Sequence, residues 1–196
     1  GADLGDEISQ SLRFRGGQKL NRTFGSNHDY ENITISMWFK RSKISASQTL
    51  ITLDNGGNNI PIHLVSDDRI RTYLNPGTLN SDGRFRDTSA WYHAVINSDK
   101  LWINNEVVYT HTLFDNFAAD NRVYIGTYGV NNSEYFDGYL ADVQLISNAK
   151  LDPTSFGRYN EDGVWVPQDY TGSYGSNGFH LDFADSSDLG NDVSGN

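Results

Sequence analysis

Short apolar runs and polar turn clusters alternate along most of this chain. Ile33–Lys40 sets Ile33, Ile35, Met37 and Phe39 on one side and Thr34, Ser36, Trp38 and Lys40 on the other, the period-two signature of a strand. Ser11–Phe14 and Leu20–Thr23 flank Gly16-Gly17, a spacing that predicts a first hairpin. Gln48–Leu53 and Ile60–Val65 enclose a polar loop, and Arg69–Leu74 follows a turn at Ser66-Asp67-Asp68. Trp91–Asn97, Lys100–Ile103 and Glu106–Thr110 predict a meander, its last turn made by Asn104-Asn105, residues that tolerate positive φ. Arg122–Thr127 and Tyr135–Ile146 enclose a second polar loop.

After Ile146 the texture changes. Asp152 as N-cap and Pro153 at the first helical position predict at most one short helix near 152–158. Val164–Pro167 and Gly178–Phe183 read as two more strands. Strands spaced near ten residues predict an all-β, two-sheet antiparallel jelly-roll sandwich. A single domain is expected over 1–185, with 186–196 as a flexible C-terminal tail or linker.

Composition sharpens this picture. The 196 residues include 19 Gly, 20 Asn and 20 Asp but only five Glu, so turn formers dominate and strong helix formers are scarce. A net charge of −10 without a basic cluster makes nucleic acid a poor partner. No apolar run approaches the ~18 residues of a membrane helix, so membrane insertion is not expected. The first residues lack the basic and apolar regions of a signal peptide. Without cysteine there is no disulfide framework, thiolate zinc site or cysteine nucleophile.

Several motifs, in order, resemble a known family. Ser11-Leu12-Arg13-Phe14, Ile35–Arg41, Trp91-Tyr92-His93-Ala94-Val95, Leu101–Asn105, Ile125-Gly126 and Phe136–Val143 are similar to successive strands of laminin-G-like, concanavalin A-like lectin jelly rolls. Asp152–Gly157, Gly163–Phe183 and Asp192–Asn196 resemble motifs that recur in a subgroup common among marine phage structural proteins. This resemblance implies a concanavalin A-like sandwich in a virion fibre, appendage or capsid decoration, at the virion surface. Its partners would be host cell-surface glycan or other virion proteins, and a homo-oligomer is compatible with such a role. A secreted bacterial lectin or adhesin is the other setting the family allows.

Glycoside hydrolases share this fold, so activity has to be read from residues. The Glu-x-Asp-x-Glu strand of the family 16 glucanases is absent. The nearest approaches, Asp6-Glu7 and Glu161-Asp162, would point to opposite sides of a strand. The five His have neither a nucleophile elbow nor zinc-ligand spacing, and His93 reads as a hydrogen-bonded structural imidazole. An enzyme is not expected.

Sugar sites combine aromatic faces with amides and carboxylates. Two loops carry that chemistry, one through Asp54, Asn55, Asn58 and Asn59, the other through Tyr128, Asn131, Asn132, Glu134 and Tyr135. The resemblance implies that they share one rim, where relatives hold calcium or ligand. No cofactor is required; calcium, if present, would take Asp54 as its carboxylate at the rim or, as a structural ion elsewhere such as many relatives hold, Asp137 or Asp142.

Overall fold

Alternating apolar residues close two sheets over one core. In the computed structural model, which describes residues 2–25, 30–54, 59–74, 77–111 and 121–196, the strands are β1 Leu12–Arg15, β2 Leu20–Thr23, β3 Thr34–Arg41, β4 Gln48–Asp54, β5 Asn59–Leu64, β6 Ile70–Leu74, β7 Gly77–Asn80, β8 Tyr92–Asn97, β9 Lys100–Ile103, β10 Glu106–Thr110, β11 Arg122–Ile125, β12 Asp137–Ile146, β13 Gly157–Tyr159, β14 Trp165–Pro167 and β15 Phe179–Leu181. One antiparallel sheet runs β1-β12-β3-β8-β9-β10, with β15 also pairing β12. The other runs β2-β11-β4-β5-β6-β7, and β13-β14 form a separate hairpin. Ile35, Met37 and Phe39 of β3 meet Leu50, Ile51 and Leu53 of β4 in the core between the sheets, where Phe14, Phe136 and Leu140 are fully buried.

Two expectations are corrected. Ser11–Phe14 and Leu20–Thr23 do not form a hairpin: β1 pairs with β12 in one sheet and β2 with β11 in the other. The Gly16-Gly17 connection therefore crosses the sandwich, next to a second crossing between β11 and β12. The two crossings interlock, since Gly16 N–H donates to Phe136 O and Phe136 N–H to Gly126 O. Gly126 has φ +83°, and a Cβ there would lie 2.5 Å from the Phe14 ring, so only glycine fits. Trp91 lies outside β8 and is 37% exposed, because the strand begins at Tyr92, where pairing with Phe39 starts.

The outer face of the seven-stranded sheet is covered. Val95, Trp102 and Ile146 bury themselves against Phe156, with Leu151, Tyr170 and Tyr174 packed alongside. The single 3₁₀ turn at Pro153–Ser155 places Phe156, and Asp152 caps it by accepting from Thr154 N–H at 2.9 Å. Beside that cluster, His93 is stacked on Trp38 at 4.6 Å and on Trp165 at 6.1 Å. The amino-terminal segment joins this layer. Arg158 holds Asp3 through two hydrogen bonds of 2.6 and 2.8 Å, and Asp6 N–H donates to Pro167 O.

Within residues 186–196, expected from composition to be a flexible tail, Asp192 and Asn196 reach β15 and the turn before it through specific side chains. Asp192 accepts from His180 N–H and pairs with Arg22, and Asn196 donates its amide to Gly175 O and Gly178 O. Small polar residues supply these bonds, which a reading by hydrophobicity does not detect.

Candidate functional site

On the outer face of the six-stranded sheet, the loop from Gly126 to Phe136 folds back over β4. Thr52 Oγ1 donates to Thr127 O at 2.9 Å and accepts from Gly129 N–H at 3.1 Å. Farther along, Thr49 N–H donates to Glu134 O at 2.7 Å, next to the Thr49–Tyr135 bridge. Gly129 has φ +46°, and a Cβ there would sit 2.6 Å from Asn59 Oδ1, so the loop reaches Asn59 only through glycine. Asn132 and Glu134 also hold positive φ, +49° and +50°. Backbone conformations of this kind concentrate at functional sites.

This fold-back gathers an aromatic and polar group. Tyr128 lies edge-on to Tyr73 at 6.4 Å and 6.3 Å from His63, and His63 is 5.0 Å from Tyr73. His63 is 1% exposed, and its Nδ1–H donates to Glu134 Oε2 at 3.0 Å. Burial lowers the His63 pKa more than Glu134 raises it, which keeps the ring neutral at pH 7. Its Nε2 is then a buried acceptor without a partner, as is Asn59 Oδ1. Burial pushes the Tyr128 phenol up, with Tyr73 and Glu134 adding to the shift. Arg71, opposite His63 across the strands, donates from Nε to Asn80 Oδ1.

The structure therefore brings Asp54, Asn59 and Tyr128 to one rim, Asp54 and Asn59 being paired at the ends of β4 and β5. Asn131 and Asn132 are exposed on the loop crest, where Lys19 Nζ donates to Asn132 Oδ1. Tyr135 is half-buried at the other foot of the loop, beside Thr49. Asn55 and Asn58 lie outside the described residues. Glu134 joins the rim from the loop, and His63 and Tyr73 complete the group; the alternation of β5 carried the signal for His63, since inward Ile62 and Leu64 leave it outward.

Asp54 at the rim lies apart from Asp137 and Asp142, the candidates for a calcium elsewhere. Asp137 pairs with Arg13 at 2.7 Å, and its N–H donates to Gln48 Oε1 at the start of β4. Asp54 ends that same strand, about 20 Å away at ~3.3 Å per residue. Asp142, at a bulge with φ +49°, contacts His180 and accepts from Gln144 Nε2. Calcium takes six to eight oxygens. The described rim offers Asp54 and Asn59 Oδ1, an incomplete set. Among the described residues no group of three or more His, Asp or Glu is placed to hold a metal ion.

Strand order, the crossing loops and the rim coincide with a sequence match: residues 15–154 fit the laminin G type 3 model of the concanavalin A-like lectin/glucanases superfamily. The chain belongs to that superfamily. None of the curated proteins matches this lectin-like domain. Among solved structures it resembles domain 4 of AbnA, an extracellular arabinanase from Geobacillus stearothermophilus, in complex with arabinotriose (18% identity, 72% of each chain, TM-score 0.53). It also resembles the CBM40 of a Ruminococcus gnavus sialidase bound to α2,3-sialyllactose (17%, 74% of this chain and 95% of that one, TM-score 0.51). A third likeness is to domains LG4–5 of the mouse laminin α1 chain (16%, 83% and 46%, TM-score 0.52). At such identities the likeness is one of fold.

Proposed function

We propose that the domain is a non-catalytic carbohydrate-binding module that works at a virion surface by contacting host-surface glycan. The observation that carries this reading is the convergence of Tyr73, Tyr128, Asn59 and Glu134 at one rim, with two buried acceptors left unpaired. The half-buried rings of Tyr73 and Tyr128 suit the C–H faces of a sugar, and the amide, carboxylate and imidazole suit its hydroxyls. Two of the structural neighbours are complexes with oligosaccharides, arabinotriose and sialyllactose, which supports the sugar reading. The virion setting rests on the resemblance of Asp152–Gly157, Gly163–Phe183 and Asp192–Asn196 to phage proteins. Binding of this kind requires no metal ion.

Glycan arrays tests this reading, with wild type, Tyr128→Ala and Asn59→Ala compared. Each variant is expected to lose at least tenfold in signal while keeping the wild-type melting temperature within a few degrees. A flat array over a broad set of marine polysaccharides would overturn the lectin reading and leave a structural virion module that contacts other virion proteins.

A further inference from the structure

A second, independent concavity lies on the opposite sheet. Beyond Asp6, which is tied to Pro167 O and accepts from Asp169 N–H, the chain runs as a strap from Glu7 to Ser11 until β1 begins. The strap carries no hydrogen bond within the described structure, so its backbone N–H and C=O groups remain available. Between the strap and the sheet is a cleft of about 780 Å³, with Trp38 and Ala141 in its floor and Trp91 on one side. Ala141 sits directly across from Trp38 in the β12–β3 register, and its small side chain leaves the space open.

Three observations point to a ligand. Trp91 is 37% exposed and meets the exposed Tyr139 edge-on at 6.4 Å, forming an aromatic shelf. Trp38 is 7% exposed, yet its indole N–H has no acceptor. Such a buried donor is costly unless something supplies an oxygen. The strap contributes Glu7, Ser9 and Gln10, all exposed, and the half-buried Ile8 to the lining. Among the described residues, no Lys, Arg or His lines the cleft itself; at the far edge of the shelf Arg13, over Tyr139, is paired with Asp137, and Lys40 stands across the strands from Tyr139.

We propose that this cleft is a second carbohydrate site, one that takes a neutral or amino sugar against Trp91 and excludes acidic sugars. The sugar's C–H face lies on the indole, whose negative π-face attracts it. A ring hydroxyl oxygen accepts from Trp38 Nε1, and other hydroxyls donate to the strap. Glu7 pairs with a protonated amine and, together with Asp6, repels carboxylate or sulfate. This inference rests on the carbohydrate reading above but concerns a different face, with different residues.

Indole fluorescence separates the two sites, because the rim group of His63, Tyr73 and Tyr128 contains no tryptophan. Trisaccharides of glucose, galactose, mannose, arabinose, glucosamine and N-acetylglucosamine are titrated against the intact chain, with 3′-sialyllactose as the acidic member. At least one neutral or amino trisaccharide is expected to change the emission, and 3′-sialyllactose is not. Trp91→Ala should weaken that response at least tenfold, and Glu7→Gln should weaken the glucosamine response alone. Tyr128→Ala should leave it unchanged. Array binding that depends on Tyr128, with no emission change from any neutral or amino trisaccharide, would overturn the cleft alone. A response only to 3′-sialyllactose would overturn its charge selectivity. An array without any binding would remove both sites.

Discussion

Trp165 donates its indole N–H to Nδ1 of His93 across 3.0 Å. Indole nitrogen only donates, so His93 Nδ1 must be the acceptor, and Nε2–H then donates to Ser36 Oγ at 2.8 Å. One tautomer is thereby fixed in a fully buried ring, and β14 is fastened to β3 and β8 through it. Trp165→Phe keeps most of the packing but leaves His93 Nδ1 unpaired. A loss of about 1–3 kcal/mol is expected, read by urea denaturation.

The same ring makes the fold acid-sensitive. Burial lowers the His93 pKa to about 3 and that of His111 to about 4, both below the ordinary 6.5. Between those values and 6.5 the unfolded chain binds more protons than the native one, so stability falls as pH drops through this window. At pH 4.5 His93 alone should cost about 2–3 kcal/mol relative to pH 7. Melting curves at pH 7, 6, 5 and 4.5 should show a steady decline starting below pH 6.5. A flat profile to pH 4.5 would contradict the buried neutral imidazole.

Arg41 and Asp68 form a wholly buried ion pair at 2.9 Å. Asp68 also accepts from Ser45 N–H and from Arg86, and these bonds outweigh the upward pull of burial to hold its carboxyl below the ordinary range. Asp68→Ala strands the Arg41 guanidinium without its counter-charge, and about 3–5 kcal/mol should be lost. Asp68→Ala combined with Arg41→Met should recover part of that loss in the same denaturation assay.

Gly129→Ala tests the rim directly. The added methyl would collide with Asn59 at a backbone angle that disfavours L-residues, so the loop must lift. A cost of about 1–3 kcal/mol is expected, together with loss of glycan binding at the rim and an unchanged indole response from the opposite cleft.

Adding EDTA should leave the melting temperature of the domain within a degree. The ion pair of Asp137 with Arg13 and the contact of Asp142 with His180 already give these carboxylates partners that a structural cation would otherwise provide.

Most strands were legible because alternation such as Ile35-Ser36-Met37-Trp38-Phe39 is a local property of the chain. Partners were less so. β1 finds β12 across a separation of more than a hundred residues, and nothing in Leu12–Arg15 distinguishes that neighbour from β2. β7, Gly77-Thr78-Leu79-Asn80, has one apolar residue and showed no period at all. At the rim, Asn59 and Tyr128 were visible as polar loop chemistry. Tyr73 and His63 belong to strands whose outward face gains meaning only when the β11–β12 loop lands on it.

The bond between Asp3 and Arg158 joins residues 155 positions apart. Closing so long a loop is slow and entropically costly, and it cannot occur until the second of the two residues exists. On a ribosome the strands up to β12 can collapse first, while the strap and the aromatic cover wait for β13 and β14. The tryptophan cleft therefore takes shape after those strands have paired, and a refolding time course should show its indole signal lagging behind their formation.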